Sequence, residues 1–430
     1  MTSERRTELE LPALLSDLYV ESAPSYRFDV LAQTSRMRQR PRWTFPERWL
    51  PMALVRRRTW APALPMRPVL IVAAILLLLV GLLIFQAAGR RSVPPPYGIA
   101  RNGEIVYVVD GDVYARDSVD APARLLIGGD AVDEAPTFSR RGDKFVFVRG
   151  TAVGGPYALW VADADGSAAR ELVGPLTDID SWDVSPDGST VVVSSRGADR
   201  RMQLELIPLD GSPSTVLPLG VQATSPRFRP PDGAWILFLG GDPKGRSTPY
   251  LVRADGSGLR ELEVRIKALD PDHDFKHGMD WTGDGSQLAF VAVDDDLPRS
   301  GVESGLRIDI ATVASDGSVI DQRRVEFDPT ADHELNPNFL PGTGKLLYNT
   351  RNRDVDTVSI GVPGVRGGTS VGPASTTLGG IDYVISPDAK TALAYYWTEQ
   401  TTYLFDLTTM QSRPIGLGTT NTITHQRLAP

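Results

Sequence analysis

The sequence predicts an all-β fold, a β-propeller of four-stranded blades, preceded by a transmembrane helix and a short helical segment. Three observations carry that reading: a turn motif that recurs six times, an Asp-Gly turn that recurs four times, and one uncharged apolar run. The composition agrees, because Gly 40 and Pro 34 in 430 residues favour many turns over long helices. Hydrophobic residues at 41% and charged residues at 23% argue against a disordered chain. Cysteine is absent, which excludes disulfide scaffolds, thiolate metal sites and thiol catalysis. Four histidines (His273, His277, His333, His425) leave little room for a His-rich metal site.

Residues 1–67 read as a cytoplasmic helical segment. Leu11, Leu14, Leu15 and Leu18 share one helix face, and Pro24 precedes a second helical run from Ser25 to Arg40. The following RWTFPERWLPM alternates aromatic rings, arginines and prolines, a composition suited to the membrane–water interface. Val69 to Ala87 is apolar except for Gln86, and no charge occurs from Pro68 to Gly89. At about 1.5 Å per residue this run crosses a hydrocarbon core of about 30 Å, which predicts a transmembrane helix over 68–89. A cleaved signal peptide fits badly behind 68 residues.

Flanking charge sets the expected orientation. Arg48, Arg56, Arg57, Arg58 and Arg67 precede the run, and only Arg90 and Arg91 follow it closely. The N-terminus is therefore expected in the cytoplasm and the remainder outside. Residues 1–67 hold 12 basic and 7 acidic side chains, and residues 97–430 hold 31 and 46. The basic segment suits a lipid bilayer or an acidic partner, and the acidic exterior argues against nucleic acid.

After a linker over 90–99, residues 100–427 repeat. The first turn occurs at Phe138–Lys144, Ser185–Gly188, Arg229–Gly233, Trp281–Gly285, Phe339–Lys345 and Ser386–Lys390, each before a β-rich run. The second occurs at Asp165-Gly166, Asp210-Gly211, Asp255-Gly256 and Asp316-Gly317, where glycine supplies the positive φ of a tight hairpin. Successive first turns lie 46, 45, 52, 59 and 45 residues apart. Four short strands with tight turns need about that length, and radial stacking of such sheets gives a propeller. Gly103–Val108 and Asp110–Tyr114 look like a further unit without its first strand, which Asn421–His425 can supply, so seven blades are expected, with six as the alternative.

The strings SWDVSPDGSTVVVSS, ALWVADADGSAARELV and IDYVISPDAK resemble the WD-like repeats of TolB-type propellers over roughly residues 100–427. That resemblance implies the fold, commonly with six blades, and says almost nothing about activity. Residues 11–51 resemble the N-termini of anti-sigma-factor-like bacterial membrane proteins, but lack the zinc-binding His/Cys motif of many anti-sigma domains.

Candidate ligand residues fall in loops on one propeller face. Asp270, Asp272, His273, Asp274 and His277 form the densest ligand cluster, and Asp294, Asp295 and Asp296 extend another loop. Asp270, Asp272 and Asp274 are the candidate ligands for a hard cation such as Ca²⁺, although Phe275 and Trp281 stand where a helix–loop–helix calcium loop needs Gly and Glu. Gly368–Gly372 mimics a nucleophile elbow and Gly342–Lys345 part of a phosphate loop, but neither precedes a helix. No catalytic constellation stands out. The expected function is a membrane-anchored extracytoplasmic propeller that binds a protein or small ligand as a transmembrane sensor or regulator, with a sigma factor as a possible partner of residues 1–60. The alternatives are an envelope scaffold and a propeller ectoenzyme.

Overall fold

The computed structural model describes residues 96–429, apart from 153–154, 242–246, 265–277, 294–305, 326, 329–330, 332, 353–354, 376–379 and 418–421. The expected cytoplasmic segment, transmembrane helix and most of the linker lie outside the described residues. Among the described residues there is no helix, and hence none long and apolar enough to cross a membrane.

The strands fall into antiparallel sets of four. The first set holds β1 (Arg101–Val109), β2 (Asp112–Arg116) and β3 (Arg124–Ile127). Next come β4 (Val132–Phe138), β5 (Lys144–Gly150), β6 (Tyr157–Asp163) and β7 (Arg170–Val184). The third set reuses the end of β7 and adds β8 (Thr190–Arg196), β9 (Met202–Pro208) and β10 (Thr215–Val216). The fourth is β11 (Gln222–Phe228), β12 (Trp235–Gly241), β13 (Ser247–Arg253) and β14 (Arg260–Glu261). The fifth is β15 (Met279–Trp281), β16 (Gln287–Val293), β17 (Leu306–Val313) and β18 (Val319–Val325). The sixth is β19 (His333–Phe339), β20 (Leu346–Asn352), β21 (Val355–Gly361) and β22 (Thr369–Ser375). The last is β23 (Ile381–Ile385), β24 (Thr391–Tyr396), β25 (Thr401–Asp406) and β26 (Gln411–Ile415). Finally β27 (Ile423–Leu428) returns to pair antiparallel with β1, His425 opposite Ile105. The C-terminus thus supplies the inner strand that the first set lacks, and β1 is left with no open edge.

The turn chemistry is local. In the first-to-second-strand turn of the third set, Ser185 Oγ donates to Asp187 Oδ1 at 2.6 Å, and Thr190 N–H donates to Ser185 Oγ at 3.0 Å. The same pattern recurs at Thr282, Asp284 and Gln287, and at Ser386, Asp388 and Thr391. Burial opposes ionisation of Asp187, but hydrogen bonds from Ser185 and Ser189 hold its carboxyl below the ordinary range. Gly285 closes its turn at φ +67°, where a Cβ would sit 1.9 Å from the Pro230 carbonyl oxygen of the preceding set. Only glycine allows that approach. The Asp-Gly hairpins lie between third and fourth strands, as at Gly166 with φ +83° and Ser167 N–H on Asp165 Oδ1 at 2.9 Å.

Alternating side chains pack set against set. Val106, Val113, Phe138 and Phe145 join the first set to the second, and Val146, Leu159, Val184 and Val191 the second to the third. Val192, Leu204, Phe228 and Phe238 continue to the fourth, and Leu237, Leu251, Trp281 and Phe290 to the fifth. Ile308, Ile310, Phe327 and Tyr348 reach the sixth, and Leu347, Val358, Ile381 and Phe405 the seventh. Tyr107, Leu393 and Leu417 join the seventh back to the first. Each large apolar side chain removed from water contributes about 1.5–3 kcal/mol, so every junction is an independent adhesive layer. This all-β arrangement of antiparallel sheets is consistent with a β-propeller.

Candidate functional site

The innermost strands β27, β4, β7, β11, β15, β19 and β23 all line one cavity of about 400 Å³. One position on each inner strand decides its chemistry: the residue just before the side chain that opens the first turn, which is apolar on six of the strands and His425 on β27. That residue is Thr424, Thr137, Asp183, Arg227, Asp280, Asn338 and Val384 in turn, and all seven line the cavity. Four of them reach the next set, Asn338 Nδ2 donating to the Tyr383 hydroxyl at 3.4 Å. Asp183 Oδ2 accepts Phe228 N–H at 2.8 Å, Asp280 Oδ2 accepts Phe339 N–H at 2.8 Å, and Thr424 Oγ1 accepts Phe138 N–H at 3.4 Å. The side chains that pin neighbouring sets together thus also face the cavity.

The cavity is mixed in charge. Burial pushes the Asp280 carboxyl up to about 6, against the pull of the Phe339 amide and Arg140. Arg140 is held in its charged form by Tyr97, Asp183 and Asp280, which outweigh its burial. Burial also drives the Tyr383 phenol far up, and that hydroxyl donates to the carbonyls of Asn336 and Leu347. His425 follows Thr424 on β27 but is enclosed, and burial lowers it to about 4.

The two ends differ. At the turn end, Tyr97 lies under Arg140, whose guanidinium carbon is 5.1 Å from the ring centroid. Burial pushes this phenol up to about 12, against the opposing pull of Arg140. The neighbouring backbone is stitched down: Ala100 N–H donates to Pro387 O at 2.9 Å, and Arg427 donates to Gly98 O at 2.9 Å. A Cβ on Gly283 would meet Tyr97 Cβ at 3.0 Å, and one on Gly342 would meet Ile99 at 2.9 Å. Residues 97–100 therefore lie across the turns that follow the inner strands. At the opposite end Asp382, second in β23, and Tyr395, next to last in β24, both line the cavity, and Trp397 stands beside them. Its Nε1–H donates to Asp382 Oδ2 at 2.8 Å.

The loop candidates Asp270, Asp272, His273, Asp274, His277, Asp294, Asp295 and Asp296 lie outside the described residues. Among the described residues no three His, Asp or Glu gather to hold a metal ion. Gly368 precedes β22 and Gly372 lies within it, an outer strand, and Gly342–Lys345 is the turn between β19 and β20. Sequence reasoning missed the cavity residues. Their signal was positional: one residue before each first-turn hydrophobe, repeated at the blade period.

No family model matches the sequence, and no curated protein matches it. Solved structures do. A prolyl endopeptidase is 15% identical with a TM-score of 0.54, covering 75% of this chain and 51% of its own. The tricorn protease is 14% identical with a TM-score of 0.53, covering 79% and 36%. TolB from Acinetobacter baumannii is 15% identical with a TM-score of 0.44, covering 80% and 70%. At these identities the likeness is one of fold.

Proposed function

We propose that this protein is a membrane-anchored binding propeller of seven blades, with the propeller extracytoplasmic and residues 1–60 passing its state to a cytoplasmic partner. The observation that carries the reading is the cavity shared by seven inner strands and lined by Asp183, Arg227, Asp280, Asp382 and Arg140, the last packed on Tyr97. A concave site with a few convergent polar groups is what recognition of a ligand or partner segment requires. The seven apolar junctions and the pairing of β27 with β1 support the blade number. The apolar run 69–87 and the arginines before it support the anchor and its orientation. A cytoplasmic regulator such as a sigma factor is the partner class proposed for the basic tail. Asp270, Asp272 and Asp274 remain proposed ligands for Ca²⁺.

The test is affinity capture from detergent-solubilised native membranes, comparing the full chain, a chain lacking residues 1–60, and Asp280→Asn. A cytoplasmic protein lost with the tail and an envelope protein or ligand lost with Asp280→Asn support the reading. Envelope proteins captured equally by all three reduce it to an anchored scaffold. The Asp280 carboxyl, poised near neutrality in a cavity, favours a second reading as a hydrolase or lyase. Turnover of peptide or oligosaccharide substrates by the full chain, abolished in Asp280→Asn, would establish that instead.

A further inference from the structure

We infer that the cavity binds the zwitterion of a free α-amino acid with an apolar side chain, its carboxylate held on Arg140 and its ammonium on Asp183 and Asp280. This inference rests on the binding reading above and names its ligand class.

Arg140 stands in the turn after β4, partly buried, and lines the cavity. The Tyr97 ring, 5.1 Å away, covers one face of its guanidinium, while the five N–H groups lie in the guanidinium plane and stay clear of that contact. Among the described residues none of the five donates a hydrogen bond or pairs with a carboxylate; charge alone links Arg140 to Asp183 and Asp280. Elsewhere the fold uses such a fork fully. Arg149 grips Asp133 through two nitrogens at 2.6 and 2.8 Å, and Arg351 grips Asp356 at 2.6 and 3.0 Å. A guanidinium left open inside a cavity is a seat for a carboxylate. Two hydroxyls stand on the neighbouring strands. Thr424 accepts the Phe138 amide and keeps its own O–H to give, and Thr137 reaches only its own Ala135 carbonyl, at 3.4 Å.

The third and fifth sets present acceptors to the same cavity. Asp183 takes the Val184 and Phe228 amides at 3.0 and 2.8 Å, and Asp280 takes the Phe339 amide at 2.8 Å. Each carboxylate keeps lone pairs for one more donor. Arg227, on the strand between them, is already engaged, donating to the Pro226 carbonyl at 3.0 Å. A gap therefore separates a cationic fork from two carboxylates, and a ligand with an anion at one end and a cation at the other spans it. The whole lining holds three carboxylates and two guanidiniums, a near balance that admits a zwitterion at less cost than a lone charge of either sign. Met279, Ile381, Leu393 and Ile423 line the same space and offer apolar contact to a side chain, and about 400 Å³ is within the range of small-molecule pockets.

The experiment titrates the full chain in neutral detergent micelles by calorimetry, against blank titrations into empty micelles. The probes are L-leucine and L-phenylalanine, each beside the analogue that lacks its ammonium (isocaproate, hydrocinnamate) and the analogue that lacks its carboxylate (isoamylamine, phenethylamine). At least one amino acid is expected to bind at least about tenfold tighter than either of its analogues, because each analogue forfeits charge-assisted hydrogen bonds. Arg140→Gln should weaken that amino acid at least about tenfold and leave the amine no weaker. Asp183→Asn combined with Asp280→Asn keeps an oxygen for the Phe228 and Phe339 amides, and should weaken the amino acid similarly while sparing the carboxylate analogue. Thermal melts establish that each variant folds; if one does not, the ranking of analogues on the unchanged chain decides alone. No detectable binding of either amino acid, an analogue that binds as tightly, or an affinity unmoved in the folded variants would overturn the inference. If membrane capture still depends on Asp280 while neither amino acid binds, the binding reading stands and only the zwitterion falls.

Discussion

Replacing Asp280 with Asn should stabilise the protein at pH 8 and leave it unchanged at pH 4. The folded-state pKa of this carboxyl lies at about 6 against an ordinary 3.8, because burial disfavours its charge. A carboxyl raised on folding contributes stability that is fully present below its unfolded pKa and lost as pH rises through the folded value. Above about pH 7 the ionised group therefore sits in an unfavourable place. A gap of roughly two pKa units, at about 1.4 kcal/mol each, makes that cost about 3 kcal/mol. Asparagine removes the charge and keeps an oxygen for the Phe339 amide, which Asp280 accepts at 2.8 Å. In a folded unit of this size the gain corresponds to a rise in Tm of about 4 °C. Calorimetry across pH 4 to 8 reads the effect directly. A Tm that falls or stays level at pH 8, or that rises equally at pH 4, would refute the reasoning. A gain confined to high pH would mean that an ionisable group is kept in the cavity at a cost to the fold.

Four further outcomes follow from the packing and the backbone. His425, lowered to about 4 by burial, contributes stability above its ordinary 6.5 that is lost as pH falls towards 4, about 3 kcal/mol in all. His425→Phe places there the residue type of the matching positions Phe138, Phe228 and Phe339, and should flatten that slope in urea titrations. Gly285→Ala forces a Cβ against the Pro230 carbonyl at positive φ and should cost at least about 3 kcal/mol in the same assay. Gly344→Ala, at φ +68° with nothing within 4 Å, should cost about 1 kcal/mol. Ending the chain after Leu417 removes β27 and exposes the edge of β1, so unfolding should lose its cooperativity and the product should aggregate. A synthetic peptide of residues 421–430 should restore a single transition seen by circular dichroism.

The turns were legible because their chemistry is local. Ser185-Pro186-Asp187-Gly188 contains both the hydrogen-bonding partners and the glycine that the turn needs, so a short window suffices. The strand supplied by Ile423–Leu428 was legible by subtraction, since Gly103–Tyr114 holds two strands of a unit and no first one. The continuity of β7 was hidden. Gly174-Pro175 reads as a break, yet one strand runs from Arg170 to Val184 and serves two sets. The cavity was hidden for a different reason. Arg140, Asp183, Arg227, Asp280 and Asp382 each stand alone in their local sequence, some 40 to 100 residues from the next. Carboxylates crowded at Asp270–Asp274 draw the eye because a window sees density. It cannot see convergence, which arises only when the inner strands are brought together around one axis.

The stitching of residues 97–100 also has a mechanical meaning. Tension arriving from residue 96 meets Tyr97 under Arg140, Gly98 held by Arg427 and Ala100 held by Pro387, before it reaches β1. Those holds belong to the second and last sets and to the closing strand, and Arg101 donates to the Ala429 carbonyl at 2.8 Å. A pull is therefore divided among several sheets and loads the two chain ends in shear against each other. A strand drawn from the rim would unzip one bond at a time, whereas a pull on residue 96 enters at the hub and is shared among these holds.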